Sequence, residues 1–325
     1  MLIAKTNMVK SIQMEKLSIT FYRLAHVPET VPRLVKELQS TDLILMENVV
    51  KQSDAVKVIR FMNDISREDP AALQYAQSVY DTMIEPVFVY NLVWHLRGSK
   101  KLFNIVDMRL DDDKAEEQFQ EILGYNEFAE IMGRIQSNPK ERYTLISEWA
   151  KKRSALLMDR DMLVVRQIET LLTNSKDEIT QRIHQNGQYA IAVIVGFVHK
   201  SGEIMKERHP DITIDVKSFD HTADFDILYN LDFGNDYRDA KEGVLSNKLI
   251  DYRLLQHINF THNANTVGLD WSDLSADTRA QYSGISKSSQ KNSRKAAKIV
   301  SSEMKDIDSY NELELASIVE ASLKE

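Results

Sequence analysis

The sequence predicts an α/β fold: a mostly parallel central sheet flanked by many helices, with a helical C-terminal tail. Three observations carry that expectation. The chain opens as strand, helix, strand, a βαβ unit. It contains a run of β-branched and small apolar residues, Tyr189 to Val195, about the length of one strand buried on both faces. And in 325 residues it uses only 10 glycines and 6 prolines, well under the usual shares of about 7% and 5%, which favours long helices and few tight turns.

The elements follow in order. Residues 1–16 are mixed and read as a short arm or helix. Leu17 to Tyr22 alternates apolar and polar side chains, the pattern of a strand. Pro28 and Pro32 suit a first helical turn, and Val31, Leu34, Val35 and Leu38 then repeat at helical spacing. Asp42 to Glu47 is a short apolar run closing on a carboxylate. Residues 53–83 have helical periodicity, punctuated at Pro70. Pro86 to Trp94 fits either a helix face or a strand. Lys101 to Asp107 is another short strand with a carboxylate at its end. Residues 111–173 read as helices with a break at Asn138-Pro139, and Asp177 to His184 as one more. After the Tyr189 strand come a helix over 201–208 and a strand over 211–216. Residues 220–243 lack clear periodicity, Leu245 to Ile258 reads helical, and 261–293 reads as polar loop or linker. The expected domain division is therefore a core over 1–260 and a linker with a basic helical tail over 261–325. No repeat of solenoid period is present.

Composition narrows the chemistry. The net charge of −8 and ordinary apolar and charged fractions describe a globular chain whose surface as a whole does not invite nucleic acid. With no cysteine, disulfides, thiolate metal sites and cysteine nucleophiles are excluded, and any metal must be held by His, Asp or Glu. No apolar signal-peptide core and no run of 18 apolar residues are seen, so the expected location is the cytoplasm without a membrane span. A glycine-rich phosphate loop, a Gly-x-Ser-x-Gly elbow and a basic-aromatic rhythm are all missing.

Four strands end in titratable side chains: His26, Glu47, Asp107 and His199. In a parallel sheet such ends share one edge, where ligands of open α/β sheets bind. Two imidazoles and a carboxylate are an adequate shell for zinc, manganese or cobalt. Without metal, a His–Glu pair could serve as general base and its orienter. The alternative is unrelated strand caps facing water. Arg160 lies in an apolar helical stretch between Asp159 and Asp161, and a guanidinium there needs a carboxylate or an anionic ligand, or forms a structural ion pair.

Other clusters each have a bland reading beside the functional one. His221, Asp224 and Asp226 stand at ligand-like spacing but suit a polar loop, and His257 and His262 suit surface or capping positions. Lys287 to Lys305 carries six basic residues against Glu303, a solvated helix face or a contact for an acidic partner or a nucleic-acid backbone. Leu313, Leu315, Ile318, Val319 and Leu323 could dock on the body or on a partner; an assembly role through the tail stays open, as does a homo-oligomer.

Gly196-Phe-Val-His199 followed by Ser201-Gly202, Glu47 closing Leu-Ile-Leu-Met, Arg160-Asp161 ahead of Val164, Val165 and Ile168, and Asp107-Met-Arg109 together resemble the TraB/PrgY/GumN–Tiki superfamily, which also takes in ChaN-like and erythromycin-esterase-like proteins. The resemblance covers about residues 17–220. It implies a mixed sheet built from two related halves. It also implies a site lined by His26, Glu47 and His199, the divalent-metal ligands of a hydrolase acting on a peptide or ester carbonyl. Arg160 would steady a carboxylate or the reacting carbonyl. The first Gly-x-x-His motif departs: Arg23 stands where the family has glycine. That departure favours a second expectation, a non-catalytic member that binds or sequesters a peptide or small ligand. Fold likeness by itself does not choose between the two.

Overall fold

The computed structural model describes residues 16–26, 28–72, 79, 86–219, 233–240, 243–267 and 287–324. The chain divides into two compact units, one of residues 1–115 and 158–220, the other of 116–157 and 221–325. Position 260, where the core was expected to end, lies within helix Asn247–Thr266 of the second unit.

The first unit holds a five-stranded sheet. Its strands are β1 (Leu17–Leu24), β2 (Leu43–Glu47), β4 (Leu102–Val106), β6 (Tyr189–Gly196) and β7 (Thr213–Ser218), in the order β4-β2-β6-β1-β7. Every described pairing in it is parallel, in line with the mostly parallel sheet expected. The Tyr189 strand, β6, sits at its centre. From β2 the chain continues to β4 on one side; from β6 it continues to β7 on the other. Connections that diverge in this way open a crevice at the carboxyl edge of the central strands.

Strand alternation explains why β2 and β6 read as unbroken apolar runs. Leu24, Ile44, Met46, Ala192 and Ile194 face one core, filled by Val31, Leu34, Val58, Phe61 and Leu92. These last come from α1 (Val31–Glu37), α2 (Ala55–Ser66) and α3 (Pro86–His95). Phe21, Leu45, Ile191, Val193 and Val195 face the other core, filled by Val164, Val165, Ile168, Ile179, Ile183 and Met205. The covering helices here are the C-terminal part of α6 (Arg142–Asn174), α7 (Lys176–Asn186) and α8 (Ser201–Arg208). Residues 86–94, ambiguous in sequence, are helical because Phe88, Val89, Leu92 and Val93 are buried at helical spacing. A two-stranded parallel pair, β3 (Val50–Lys51) with β5 (Arg109–Leu110), lies beyond β2 and β4 and was not expected.

The second unit comprises most of α4 (Ala115–Leu123), with α5 (Tyr125–Ser137), the N-terminal part of α6, α9 (Phe233–Asp239), α10 (Asn247–Thr266), α11 (Lys287–Glu303) and α12 (Glu312–Ser322). Phe128, Ile135, Ile146, Trp149, Phe233, Leu254, Leu315 and Val319 form its main core. The apolar stripe of the tail therefore docks on the body of its own chain, with Leu313 alone left 81% exposed. His257 meets the Phe128 ring edge-on, with centroids 5.2 Å apart.

The linker expected over 261–293 is helical at both described ends, to Thr266 and from Lys287. Polar residues do not end α10 because their side chains bond back to carbonyls of the same helix. Thr261 Oγ1 donates to His257 O at 2.9 Å and Asn263 Nδ2 to Asn259 O at 2.8 Å, while Phe260 and Ala264 keep a buried face. The N-terminal arm over 1–15 and the His221–Asp226 cluster lie outside the described residues. Among the described residues, no helix is long and apolar enough to cross a membrane.

Candidate functional site

The carboxyl edge of the sheet brings Glu47, Asp107, Arg160, Asp161 and His199 into one hydrogen-bonded cluster within the first unit. Glu47 is the last residue of β2. Asp107 follows β4, and His199 lies three residues beyond the end of β6. Arg160 and Asp161 come from α6. They stand one turn ahead of Val164 and Val165, on the face that packs against the sheet, and so meet the groups at the strand ends.

The contacts are dense. Arg160 Nη2 donates to Glu47 Oε1 at 2.7 Å and also to Asp107 Oδ2, while Arg160 Nε donates to Asp107 Oδ1 at 3.3 Å. His199 Nε2 lies 2.8 Å from Glu47 Oε1, and its Nδ1 lies 2.7 Å from Asp161 Oδ1. The Gly196 N–H donates to Glu47 Oε2. Asp161 also accepts from the backbone N–H of Lys200, the residue just before α8, at 3.1 and 3.2 Å, while it orients the imidazole.

Asp107 is held twice over. Its backbone N–H donates to Gln167 Oε1 at 2.8 Å, and its carbonyl accepts from Gln167 Nε2 at 2.9 Å. Gln167 lies two turns along α6 from Arg160. The clamp matters because Asp107 has φ 153°, a conformation that L-residues rarely adopt.

These surroundings set the protonation states. Burial alone would push the Glu47 carboxyl up. The His199 charge and hydrogen bond, then the charges of Arg160 and His26, outweigh it and hold the group well below the usual carboxylate range. Burial alone would push His199 down; the Glu47 charge and the hydrogen bonds to Asp161 and Glu47 outweigh it and raise the imidazole to about 10. Each partner therefore favours the charged form of the other.

His26 reaches the same edge and acts on Glu47 through its charge. It is half-buried and stacks on Phe88, with centroids 4.8 Å apart and planes 15° from parallel. Arg23 does not bring a loose charge to the cleft. Its Nη1 donates to Glu203 Oε1 at 2.7 Å, and its Nη2 and Nε donate to Ser218 Oγ at 3.0 and 3.2 Å. It thereby ties β1 to β7, its register partner, and to α8.

In this arrangement the expected metal ligands Glu47 and His199 are engaged with each other and with Arg160 and Asp161, and a metal would have to displace part of those contacts. Both His199 ring nitrogens face carboxylates, and a ligating imidazole must be neutral with one nitrogen open. Both Glu47 oxygens accept hydrogen bonds, one of them from a guanidinium that would repel a cation. Among the described residues, no group of three or more His, Asp or Glu side chains is arranged to hold a metal ion. A general-base role for His199 would likewise require its proton to leave the Glu47 and Asp161 carboxylates.

Of the residues expected at the site, Glu47 touches both Arg160 and His199, and His26 stands beside them. Sequence reasoning gave Asp107 a strand-end place, treated Asp161 only as a neighbour of Arg160 and missed Gln167. The one signal for Asp161 was its spacing of four from Val165, which puts it on the buried face of α6. Comparison with known protein families, characterised proteins and solved structures finds no match for this chain.

Proposed function

We propose that this chain is a TraB/Tiki-like protein that binds a peptide or small ligand at the carboxyl edge of its sheet and performs no hydrolysis there. The observation that carries the reading is the double engagement of His199, with one ring nitrogen on Asp161 and the other on Glu47. A group so held is a fixed positive charge rather than a base. Glu47, beside it, is a fixed negative charge rather than an acid. Such a cluster offers a ligand a rigid electrostatic platform. Its accessible rim is His26 on Phe88 together with the parts of Glu47 and Arg160 still exposed, about a tenth of each side chain.

The second reading is a divalent-metal-dependent hydrolase using His26, Glu47 and His199. The observation in its favour is that these three residues reach the same sheet edge. It requires His199 to give up a carboxylate and a proton before it could ligate.

Two measurements on the purified full-length protein separate the readings. Elemental analysis, with melting in added zinc, manganese or cobalt, is expected to find no stoichiometric metal and no stabilisation. Metal bound one to one, and lost in His199→Ala, would overturn the binding reading. A panel of short peptides and their esters is expected to include members that raise the melting temperature and are recovered intact by mass spectrometry. Metal-dependent cleavage of any of them would establish the hydrolase.

A further inference from the structure

The C-terminal tail carries two adjoining blocks of opposite and equal charge. Residues 287–305 hold six basic side chains against one acid, a net of +5; residues 306–325 hold six acids against one lysine, a net of −5. The first block is helix α11. Lys291, Lys295 and Lys298 lie at i, i+4 and i+7, all exposed, and so form one stripe. Ala296, Ala297 and Val300 on the opposite face are buried against Phe260 and Ala264 of α10. The helix is thus fixed to its unit with the lysine stripe outward. The second block includes Asp308, Glu312 and Glu314, all exposed, with Leu313 standing 81% exposed between the two glutamates.

Although the blocks adjoin in the chain, among the described residues no ion pair joins them and the one tail carboxylate in a salt bridge is Glu320, with Arg142. Elsewhere exposed lysines do find carboxylates, as Lys152 with Glu127 and Lys217 with Glu37.

We infer that the lysine stripe of α11 docks on the 308–314 acidic block of a second copy of this chain. Charge complementarity chooses this occupant. The stripe has no large exposed apolar side chain to enter a lipid surface. A second copy brings an acidic block of matching magnitude, and Leu313 supplies an apolar group for the contact to bury. A two-fold axis lets both blocks of each copy meet their opposites, a closed isologous pair.

The test is sedimentation of the full chain in low and high salt, with charge reversals. At about 0.1 M salt, where the screening length is about 10 Å, the average mass is expected to exceed the 37.4 kDa monomer. At about 1 M, where that length is about 3 Å, the monomer is expected to return. The variant carrying Lys291→Glu, Lys295→Glu and Lys298→Glu should be monomeric in low salt. So should the variant carrying Asp308→Lys, Glu312→Lys and Glu314→Lys. Mixed in equal amounts, the two should form a mixed pair, a rescue that misfolded variants could not give. Wild type monomeric at low salt, association indifferent to reversal, or a monomer whose stripe instead captures duplex DNA or anionic vesicles would each overturn the inference.

Discussion

His199 Nε2 stands 2.8 Å from Glu47 Oε1, and each group holds the other in its charged form. That mutual hold gives the cluster a pH signature. The His199 pKa is raised from 6.5 to about 10, so its contribution to stability is fully present below about 6.5 and is lost as pH rises toward 10. The Glu47 pKa is depressed from 4.5, so its contribution is present above about 4.5 and is lost only as pH falls through the lowered value. The two coincide at full strength between about 4.5 and 6.5. Urea unfolding across pH should show the protein losing stability from neutral toward alkaline pH, with the decline reduced in His199→Gln. A wild-type and variant pair with parallel pH profiles would show that the imidazole is not held by Glu47.

Arg160 bridges two carboxylates, one of them the fully buried Asp107, so its removal strips that carboxylate of its hydrogen-bonded counter-charge. Arg160→Met should cost about 3–5 kcal/mol in urea unfolding, the usual cost of orphaning a buried charge. Arg160→Lys should recover only part of it, because one ammonium cannot reproduce the forked contact with Asp107 while also reaching Glu47. A loss under about 1 kcal/mol for the methionine variant would mean the cluster is well solvated.

The glycines of the Gly-x-x-His stretch separate by a simple steric comparison. A β-carbon on Gly202 would stand 2.8 Å from Val216 Cγ2 and 2.9 Å from Phe21 Cγ, where α8 packs closely on β1 and β7. Gly202→Ala should therefore cost about 1–3 kcal/mol. A β-carbon on Gly196 would meet Glu47 Oε2 and His199 Cδ2 at 3.5 Å, ordinary contacts, and the N–H that Glu47 uses would remain. Gly196→Ala should stay within about 1 kcal/mol of wild type. Thermal unfolding of the two variants side by side checks the ordering; the reverse ordering would show that the strand end, not the helix contact, is the crowded place.

The parts of the site that were legible share one property: each stands where a hydrophobic pattern stops. Glu47 closes an all-buried strand, His199 follows another, and Arg160 interrupts an apolar helix, so a titratable side chain appears against an apolar background. Asp161 and Gln167 act through the register of α6 against strands distant in sequence, which no local pattern records. The β3–β5 pair has two residues in each strand, too few to alternate. Residues 261–266 looked like linker because Asn and Thr usually favour turns; inside α10 their side chains are spent on the helix's own carbonyls. Protonation was likewise out of reach, since an imidazole and a carboxylate suggest a base or a ligand until their partners are known.

The second unit has its own buried charge, and it separates strong from weak ion pairs within one residue's contacts. Arg142 is 2% exposed; its Nε donates to the fully buried Asp251 at 2.6 Å, and its Nη1 donates to Glu320 of α12 at 3.0 Å. Tyr143 OH donates to the second Asp251 oxygen at 2.7 Å, and burial with that bond pushes the phenol up to about 12. Removing the guanidinium strands Asp251 in the core, so Arg142→Met should cost about 3–5 kcal/mol. Glu320, by contrast, is 46% exposed, and Glu320→Gln should cost no more than about 1 kcal/mol, within the range of solvent-screened pairs. Raising the salt concentration should shrink the Glu320 effect and leave the Arg142 effect nearly unchanged, because only the exposed pair is screened. Urea unfolding of both variants in low and high salt decides it: equal losses would mean that α12 is held mainly through Glu320, and that Asp251 finds its counter-charge elsewhere.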